Sequence, residues 1–327
     1  MIHLGADDLA ALLTPAAAAE ALAGALRAGL DPEGCPERSN TPVPAGELLV
    51  MPAASATYAG VKVAGVVPAN PARGLPRITG SYLLLDGPTL LPLAVLDGAA
   101  LTTLRTAAVS ALAIDALAEA DAARLVLFGA GPQAYAHLES ALTTRELTQV
   151  TVVSRTSARA ERLVAYAREL GLEARTGSPA DVAFADLVIC CTTAHEPLFD
   201  GRRIPAHATV VAVGSHRSAV RETDSELVRR SSLWVEARTA ALREAGDLLI
   251  PLAEGVITET DITGTLATLV GEGVRPPTDR PRLFKSVGMG WEDLVVAGAA
   301  HGALAGARDA LPDLSVPGEA GRARREF

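Results

Sequence analysis

The chain reads as an α/β protein in which a Rossmann-type doubly wound parallel sheet is inserted into a first, α+β domain. Three observations predict this. Residues 124–134 run as an apolar strand straight into Gly129-x-Gly131-x-x-Ala134 and on into a helix-forming stretch. From there to about residue 236, short apolar strands alternate with helical segments, an order that calls for parallel strands joined by right-handed crossovers. Before residue 97, strands follow one another with no helix between them, which predicts a mostly antiparallel sheet. At 327 residues the chain exceeds what one hydrophobic core usually serves, so two domains are expected.

Thr14-Pro15 ahead of an alanine-rich stretch predicts a capped helix to about residue 29, with proline in its first turn. A proline-rich irregular segment covers 31–46. Strands are expected at 47–51, 60–67, 79–86 and 91–96, separated by turn residues. The pattern over 97–119 is helical, with Leu101, Leu104, Ala108, Leu112 and Leu117 near one face, and it carries the chain across a boundary near residue 120. Beyond it, strands are expected at 124–128, 150–154, 172–175, 187–191, 209–213 and 232–236, with helices at 131–143, 157–170, 179–185 and 224–230. A short strand at 282–286 precedes a helix from 288 to about 311, which is expected to return to the first domain. The domains are then 1–120 plus 300–327, and 121–299 for the dinucleotide. The tail at 321–327 is expected to fray.

Hydrophobic residues make up 49% of the chain and aromatics only 3%, which suits close helix-on-sheet packing. The net charge of −9 is spread along the chain and no basic stripe occurs, which argues against nucleic acid as a partner. Cys35, Cys190 and Cys191 are too few for a disulfide framework and read as reduced thiols. The opening residues lack the basic and apolar regions of a signal peptide, and no apolar run is read as long enough for a bilayer. A cytoplasmic protein with no membrane partner is expected, and no metal site is read.

Bare glycines let a backbone approach a pyrophosphate, whose charge then faces the free N–H groups of the following helix. The second strand ends in Ser154-Arg155-Thr156. A carboxylate there would hold a ribose 2′-hydroxyl, whereas an arginine flanked by hydroxyls suits a 2′-phosphate, so NADP(H) is favoured with NAD(H) as the alternative. Arg155 as a plain surface cap stays open. Lys62 sits in the apolar run Val61-Lys62-Val63-Ala64, where a buried ammonium needs a charged partner or a lowered pKa. Strict alternation would instead turn Lys62 outward on a polar face. Arg105 interrupts an alanine and leucine helix face, as a ligand or as a surface salt bridge.

Val61-Lys62-Val63, Leu104-Arg105-Thr106-Ala107-Ala108-Val109-Ser110, Gly129 to Ala134, Ala212-Val213-Gly214, Arg221-Glu222-x-Asp224, and Phe284-Lys285-Ser286-Val287-Gly288 with Glu292-Asp293-Leu294 span nearly the whole chain. In this order and spacing they resemble the ornithine cyclodeaminase/mu-crystallin family. The resemblance implies a homodimer and an α-imino or α-amino acid substrate, which make the first domain the α+β substrate-binding and dimerisation domain, with Arg38, Lys62 and Arg105 at the substrate carboxylate. It places Gly129, Ala130, Gly131, Pro132 and Gln133 at the pyrophosphate. Thr192 and Thr193 would border the nicotinamide ribose and Val213 and Gly214 the nicotinamide, while Lys285, Ser286, Val287 and Gly288 close the pocket.

Three positions depart from the cyclodeaminase pattern. His216 stands where those enzymes have an aspartate, Leu49 where they have an acid, with Glu47 two residues back on the same strand face, and Arg77 where they have a small hydroxyl residue. A diamine needs negative groups for its distal ammonium, so the first two of these weaken a cyclodeaminase, while Arg77 makes the pocket more positive and counts with Arg38, Lys62 and Arg105 as a substrate-binding residue. His216 is suited to act as a general acid near neutral pH, or serves as a loop residue bonded to backbone. His137 reads as a packing residue, and Asp224 and Asp293 as structural residues at helix starts. The leading expectation is an NAD(P)H-dependent reductase of α-imino acids, in which Arg105 and Lys62 hold the carboxylate and His216 or Lys62 supplies the proton. The alternatives are an ornithine or lysine cyclodeaminase with bound NAD, and a non-catalytic NADP-dependent ligand-binding protein.

Overall fold

The computed structural model describes residues 1–274 and 276–309. Strand β1 (Ile2–Leu4) leads into helices α1 (Ala6–Leu12) and α2 (Pro15–Arg27). The chain then lays down β2 (Ser39–Val43), β3 (Gly46–Ala54), β4 (Tyr58–Val66), β5 (Ile78–Asp86) and β6 (Pro92–Asp97) before helix α3 (Gly98–Leu117). These strands form one sheet in the order β1-β6-β5-β4-β3-β2, antiparallel throughout except where β1 runs parallel to β6. The mostly antiparallel sheet read from the sequence is therefore present, with two short strands, β1 and β2, that carried too little pattern to be seen. Caps explain where the helices begin: the Thr14 hydroxyl accepts from the Ala17 N–H at 3.2 Å, and the Asp97 carboxylate accepts from Ala99 and Ala100 at 2.9 Å.

The second sheet is parallel and holds β7 (Arg124–Phe128), β8 (Gln149–Val153), β9 (Glu173–Thr176), β10 (Leu187–Cys190), β11 (Thr209–Ala212), β12 (Ser232–Val235), β13 (Ile262–Thr265) and β14 (Arg282–Lys285). Its order is β13-β12-β14-β11-β10-β7-β8-β9. Helices α4 (Pro132–Leu142), α5 (Ser157–Glu169), α6 (Ser225–Arg230), α7 (Arg238–Glu244), α8 (Gly246–Ala253) and α9 (Leu266–Glu272) connect it, and α10 (Gly290–Asp309) follows. The chain leaves β7 toward β8 and β9 and returns to β10 on β7's other flank. That reversal is the switch point, and the carboxyl ends of β7 and β10 border the crevice where such sheets take ligands. The helix expected at 179–185 is a short 3-10 turn at Pro179–Phe184, because Pro179 and a Ser178/Asp181 capping box set a tight turn without an apolar helical face behind it. The expected tail at 321–327 lies outside the described residues.

Helix α10 starts at Gly290 and packs on α2, α3, β3 and β4, so the chain does return to the first sheet. One expectation needs correction. Helix α3 is long and apolar enough to cross a bilayer, but most of it is buried inside the fold. Its Leu101, Val109, Ile114 and Leu117 are sealed in the core shared by the two sheets, which accounts for the apolar composition.

Candidate active site

The glycine turn is shaped for close backbone approach. Gly129 has φ +116°, and a Cβ there would stand 2.7 Å from the Cys191 carbonyl oxygen, so neither the conformation nor the space admits a side chain. Gly131 stands at the N-cap of helix α4 and gives its first N–H groups no side-chain cap, with Pro132 in the first turn. A groove of about 900 Å³ runs from this turn between the ends of β7, β8 and β10, lined by Gly129, Ala130 and Gly131 and by Ser154, Arg155 and Thr156. Open N–H groups at one end and an arginine among hydroxyls at the other fit a dinucleotide. Among the described residues, no cluster of His, Cys, Asp and Glu suits a metal ion.

A second pocket of about 230 Å³ opens between the sheets and shares Cys191, Thr192, Thr193, Ala194 and His195 with the groove. Arg38, Lys62, Arg77, Arg105 and His216 line it, as do Gln133, Val213, Gly214, Ser286, Val287 and Gly288. Of the expected cofactor residues, Lys285 lies behind this wall and Pro132 at the start of α4. The Lys285 ammonium is fully buried 2.9 Å from an Asp247 oxygen and donates to the Ser215 carbonyl at 2.7 Å, so it supports the loop that carries His216.

Alternation along β4 resolves opposite to the outward reading of Lys62. Lys62, Ala64 and Val66 face inward and Val63 faces out, 41% exposed. Polarity of the neighbours misleads here because the buried face is the charged one. The Lys62 ammonium lies 2.7 and 2.9 Å from the two Asp293 oxygens and donates to the Thr102 hydroxyl at 3.2 Å. Burial pulls its pKa down to about 8, and Asp293 only partly offsets this, with Arg105 pushing further down.

Arg105 is no surface residue either. Its Nη1 donates to Glu292 at 2.5 Å and its Nε lies 3.3 Å from Asp293, whereas Nη2 bonds to no described residue. Burial works against the guanidinium charge, but Glu292, Asp293 and Glu236 outweigh it and the charged form is favoured. Glu292 in turn is driven well above the usual carboxylate range by burial and by Glu236, to which it is hydrogen-bonded. Glu236 also accepts from the Ser286 hydroxyl at 2.5 Å and from the Val287 and Gly288 N–H groups at 2.9 Å, which shapes the pocket rim. Arg38, on a loop with few sequence constraints, is pinned by the Val287 and Gly288 carbonyls at 2.9 and 2.6 Å and by Glu244 at 2.8 Å.

His216 departs from the expectation of an acid near neutral pH. Burial, followed by the charges of Arg38, Arg217 and Lys285, holds it down to about 4, and its Nε2 finds no partner. The ring is neutral at physiological pH. His137 packs as expected: Nδ1 donates to the Gln133 carbonyl at 2.7 Å and Nε2 faces the Ser110 hydroxyl at 2.9 Å. Asp224 caps α6 through the Leu227 N–H at 2.8 Å. Asp293 is the residue whose importance the sequence reading missed, since its oxygens turn to Lys62 and Arg105. A usable signal was there: adjacent acids opening an otherwise apolar helix need buried cations. Glu236, Glu244 and Glu292 were missed as partners for the same reason, their cations being remote in sequence.

A doubly wound domain whose glycine turn opens beside a buried ammonium and guanidinium defines an NAD(P)-dependent oxidoreductase. Residues 17–306 match the model of the ornithine cyclodeaminase/mu-crystallin family, and the chain belongs to that family. It is 36% identical to the Δ1-pyrroline-2-carboxylate reductase of Colwellia psychrerythraea over 68% of this chain and 72% of that one. It is 35% identical to the ketimine reductase mu-crystallin of Mus musculus over 77% and 79%. The structure of Thermococcus litoralis Δ1-pyrroline-2-carboxylate reductase in complex with NADH and L-proline is similar with a TM-score of 0.89 at 32% identity, covering 94% of this chain and 98% of that one.

Proposed function

We propose that the protein is an NADPH-dependent reductase of the C=N bond in cyclic or linear α-imino acids, yielding L-amino acids. The observation that carries this is the meeting of two features at Thr192 and Thr193: the dinucleotide groove and a pocket holding the buried cations Lys62 and Arg105. The free Nη2 of Arg105 and the ammonium of Lys62 grip the substrate carboxylate. A dinucleotide held by Gly129, Gly131 and Arg155 in the groove would supply the hydride that the imine carbon takes up. Lys62, with its pKa near 8, is charged at neutral pH yet able to release the proton that the nitrogen takes up, a role unsuited to a ring held at about 4. NADPH is preferred over NADH because Arg155, bonded to the Thr193 hydroxyl at 3.3 Å, stands in the groove beside Ser154 and Thr156 with no acid at that strand end.

A cyclodeaminase is disfavoured by the same pocket. Its wall carries Leu49 where an acid would meet a distal ammonium, and Glu47 is already paired with Arg217. The deciding assay measures NADPH and NADH consumption with Δ1-pyrroline-2-carboxylate, Δ1-piperideine-2-carboxylate, and pyruvate plus ammonia or methylamine, beside ornithine. NADPH-consuming reduction is expected. Ammonia released from ornithine without net NADPH use would overturn the reading, and no turnover with any imine would favour a ligand-binding protein.

We also propose a homodimer through the outward face of the first sheet, where Leu48 and Val63 are 38% and 41% exposed. Light scattering should report twice the chain mass, and Val63→Glu should halve it.

A further inference from the structure

We infer that the pocket selects α-imino acids carrying a second anionic group at the far end of the side chain, and that Arg77 is the residue that recognises it. This rests on the imine-reductase reading. Each of the other four Arg and Lys side chains lining the pocket has an acidic partner: Arg38 has Glu244, Lys62 has Asp293, Arg105 has Asp293 and Glu292, and Arg217 has Glu47. Arg77 lines the same pocket, is half-buried, and its side chain makes no ion pair or hydrogen bond with another described residue. No aspartate or glutamate is among the described residues that form the lining.

Strand register sets where this unanswered charge lies. Met51, Lys62 and Tyr82 share one row across β3, β4 and β5, whereas Glu47, Val66 and Ile78 share another. The two rows are four residues apart along the strands, roughly 13 Å. Arg77 directly precedes Ile78, and its carbonyl accepts from the Val67 N–H at 2.8 Å, so its backbone is anchored at the far row. Between the rows the inward positions are the apolar Leu49 and Ala64.

The pocket is thus cationic at both ends and apolar between them. A carboxylate at Lys62 and Arg105 leaves the far end of the ligand beside Arg77. A distal ammonium would meet a like charge there, because Glu47 already answers Arg217. A wholly apolar side chain would cover Arg77 and strip its water without giving it a partner, which is costly. A distal carboxylate instead forms a forked pair with the guanidinium. The matching substrates are imines of 2-oxo dicarboxylic acids.

The test compares kcat/KM with NADPH for methylamine imines of 2-oxoglutarate and 2-oxoadipate against those of 2-oxopentanoate and 2-oxohexanoate. A parallel calorimetric titration measures L-glutamate against L-norvaline in the presence of NADP. Wild type should favour the dicarboxylic imines by at least about tenfold, carried by KM, the worth of one charge-assisted pair. Arg77→Gln should abolish the preference, raising KM for the dicarboxylic imines and lowering it for the neutral ones, which no longer strip water from an unanswered charge, and Arg77→Glu should reverse it. Equal kcat/KM in wild type, or a preference that survives Arg77→Gln, overturns the inference while leaving imine reduction intact. If no imine consumes NADPH, imine reduction fails, and the titration still decides Arg77: tighter L-glutamate binding lost in Arg77→Gln supports it, and equal binding overturns it.

Discussion

The Lys62 ammonium lies 2.7 Å from a carboxylate oxygen of Asp293, and the two side chains are 3% and 0% exposed. The pair joins β4, a central strand of the first sheet, to the first turn of the last described helix, 231 residues away in sequence. It therefore closes the fold and sets the active-site charge at once. Asp293→Asn strands an ammonium in the interior and should destabilise the protein by about 3–5 kcal/mol in urea unfolding. The double variant Lys62→Met/Asp293→Leu should recover most of that loss, as expected for a coupled pair. A change below about 1 kcal/mol in the single variant would show that the pair does not bear on folding.

A proton donor with a pKa near 8 implies that turnover declines as pH rises through about 8, where Lys62 loses its proton. The sign for stability is the opposite. The folded pKa lies below the ordinary 10.5, so the charged form is a cost below about pH 8 that is relieved between there and 10.5. Lys62→Arg keeps the charge but does not release the proton, and should lose turnover while binding NADPH normally. His216→Asn should leave the limb near pH 8 unmoved. A pH limb that disappears in His216→Asn would transfer the acid role to that residue.

Cofactor preference should follow Arg155. Arg155→Ala removes the guanidinium beside Ser154 and Thr156, and kcat/KM for NADPH should fall about tenfold to a hundredfold, equivalent to about 1.5–3 kcal/mol for a bond to a charged group. The value for NADH should change little. An equal fall for both cofactors would make Arg155 a structural cap.

Gly288 has φ +76°, and a Cβ there would stand 2.3 Å from the Arg105 Nη1. Arg105 cannot swing aside, because Glu292 and Asp293 hold it. Gly288→Ala should cost about 1–3 kcal/mol in backbone strain and raise KM for the imino acid more than it affects NADPH affinity. Unchanged KM would mean that the rim does not position Arg105.

The glycine turn shows why the Rossmann half was legible: its strand, bare glycines and uncapped helix start are neighbours in the chain, and their requirements are local. The antiparallel strands of the first sheet were legible from alternation and turn residues, but β4 shows the limit of that reading. There a buried charge among small apolar neighbours inverts the pattern, and only the partner could reveal it. His216 shows the same limit, since it is depressed first by burial and then by the charges of Arg38, Arg217 and Lys285, two of them remote in sequence.

By itself, then, the order of residues determined the two sheets, the dinucleotide turn and which basic groups were worth watching, because periodicity and turn chemistry act over a few residues. Tertiary structure alone decided that Lys62 and Arg105 share Asp293, that the ring of His216 is uncharged, and that Arg77 is left without a partner. Charges act through space and depend on burial, and carboxylates supplied by the residue after β12, by α7 and by α10 have no spacing along the chain by which to be matched to their cations.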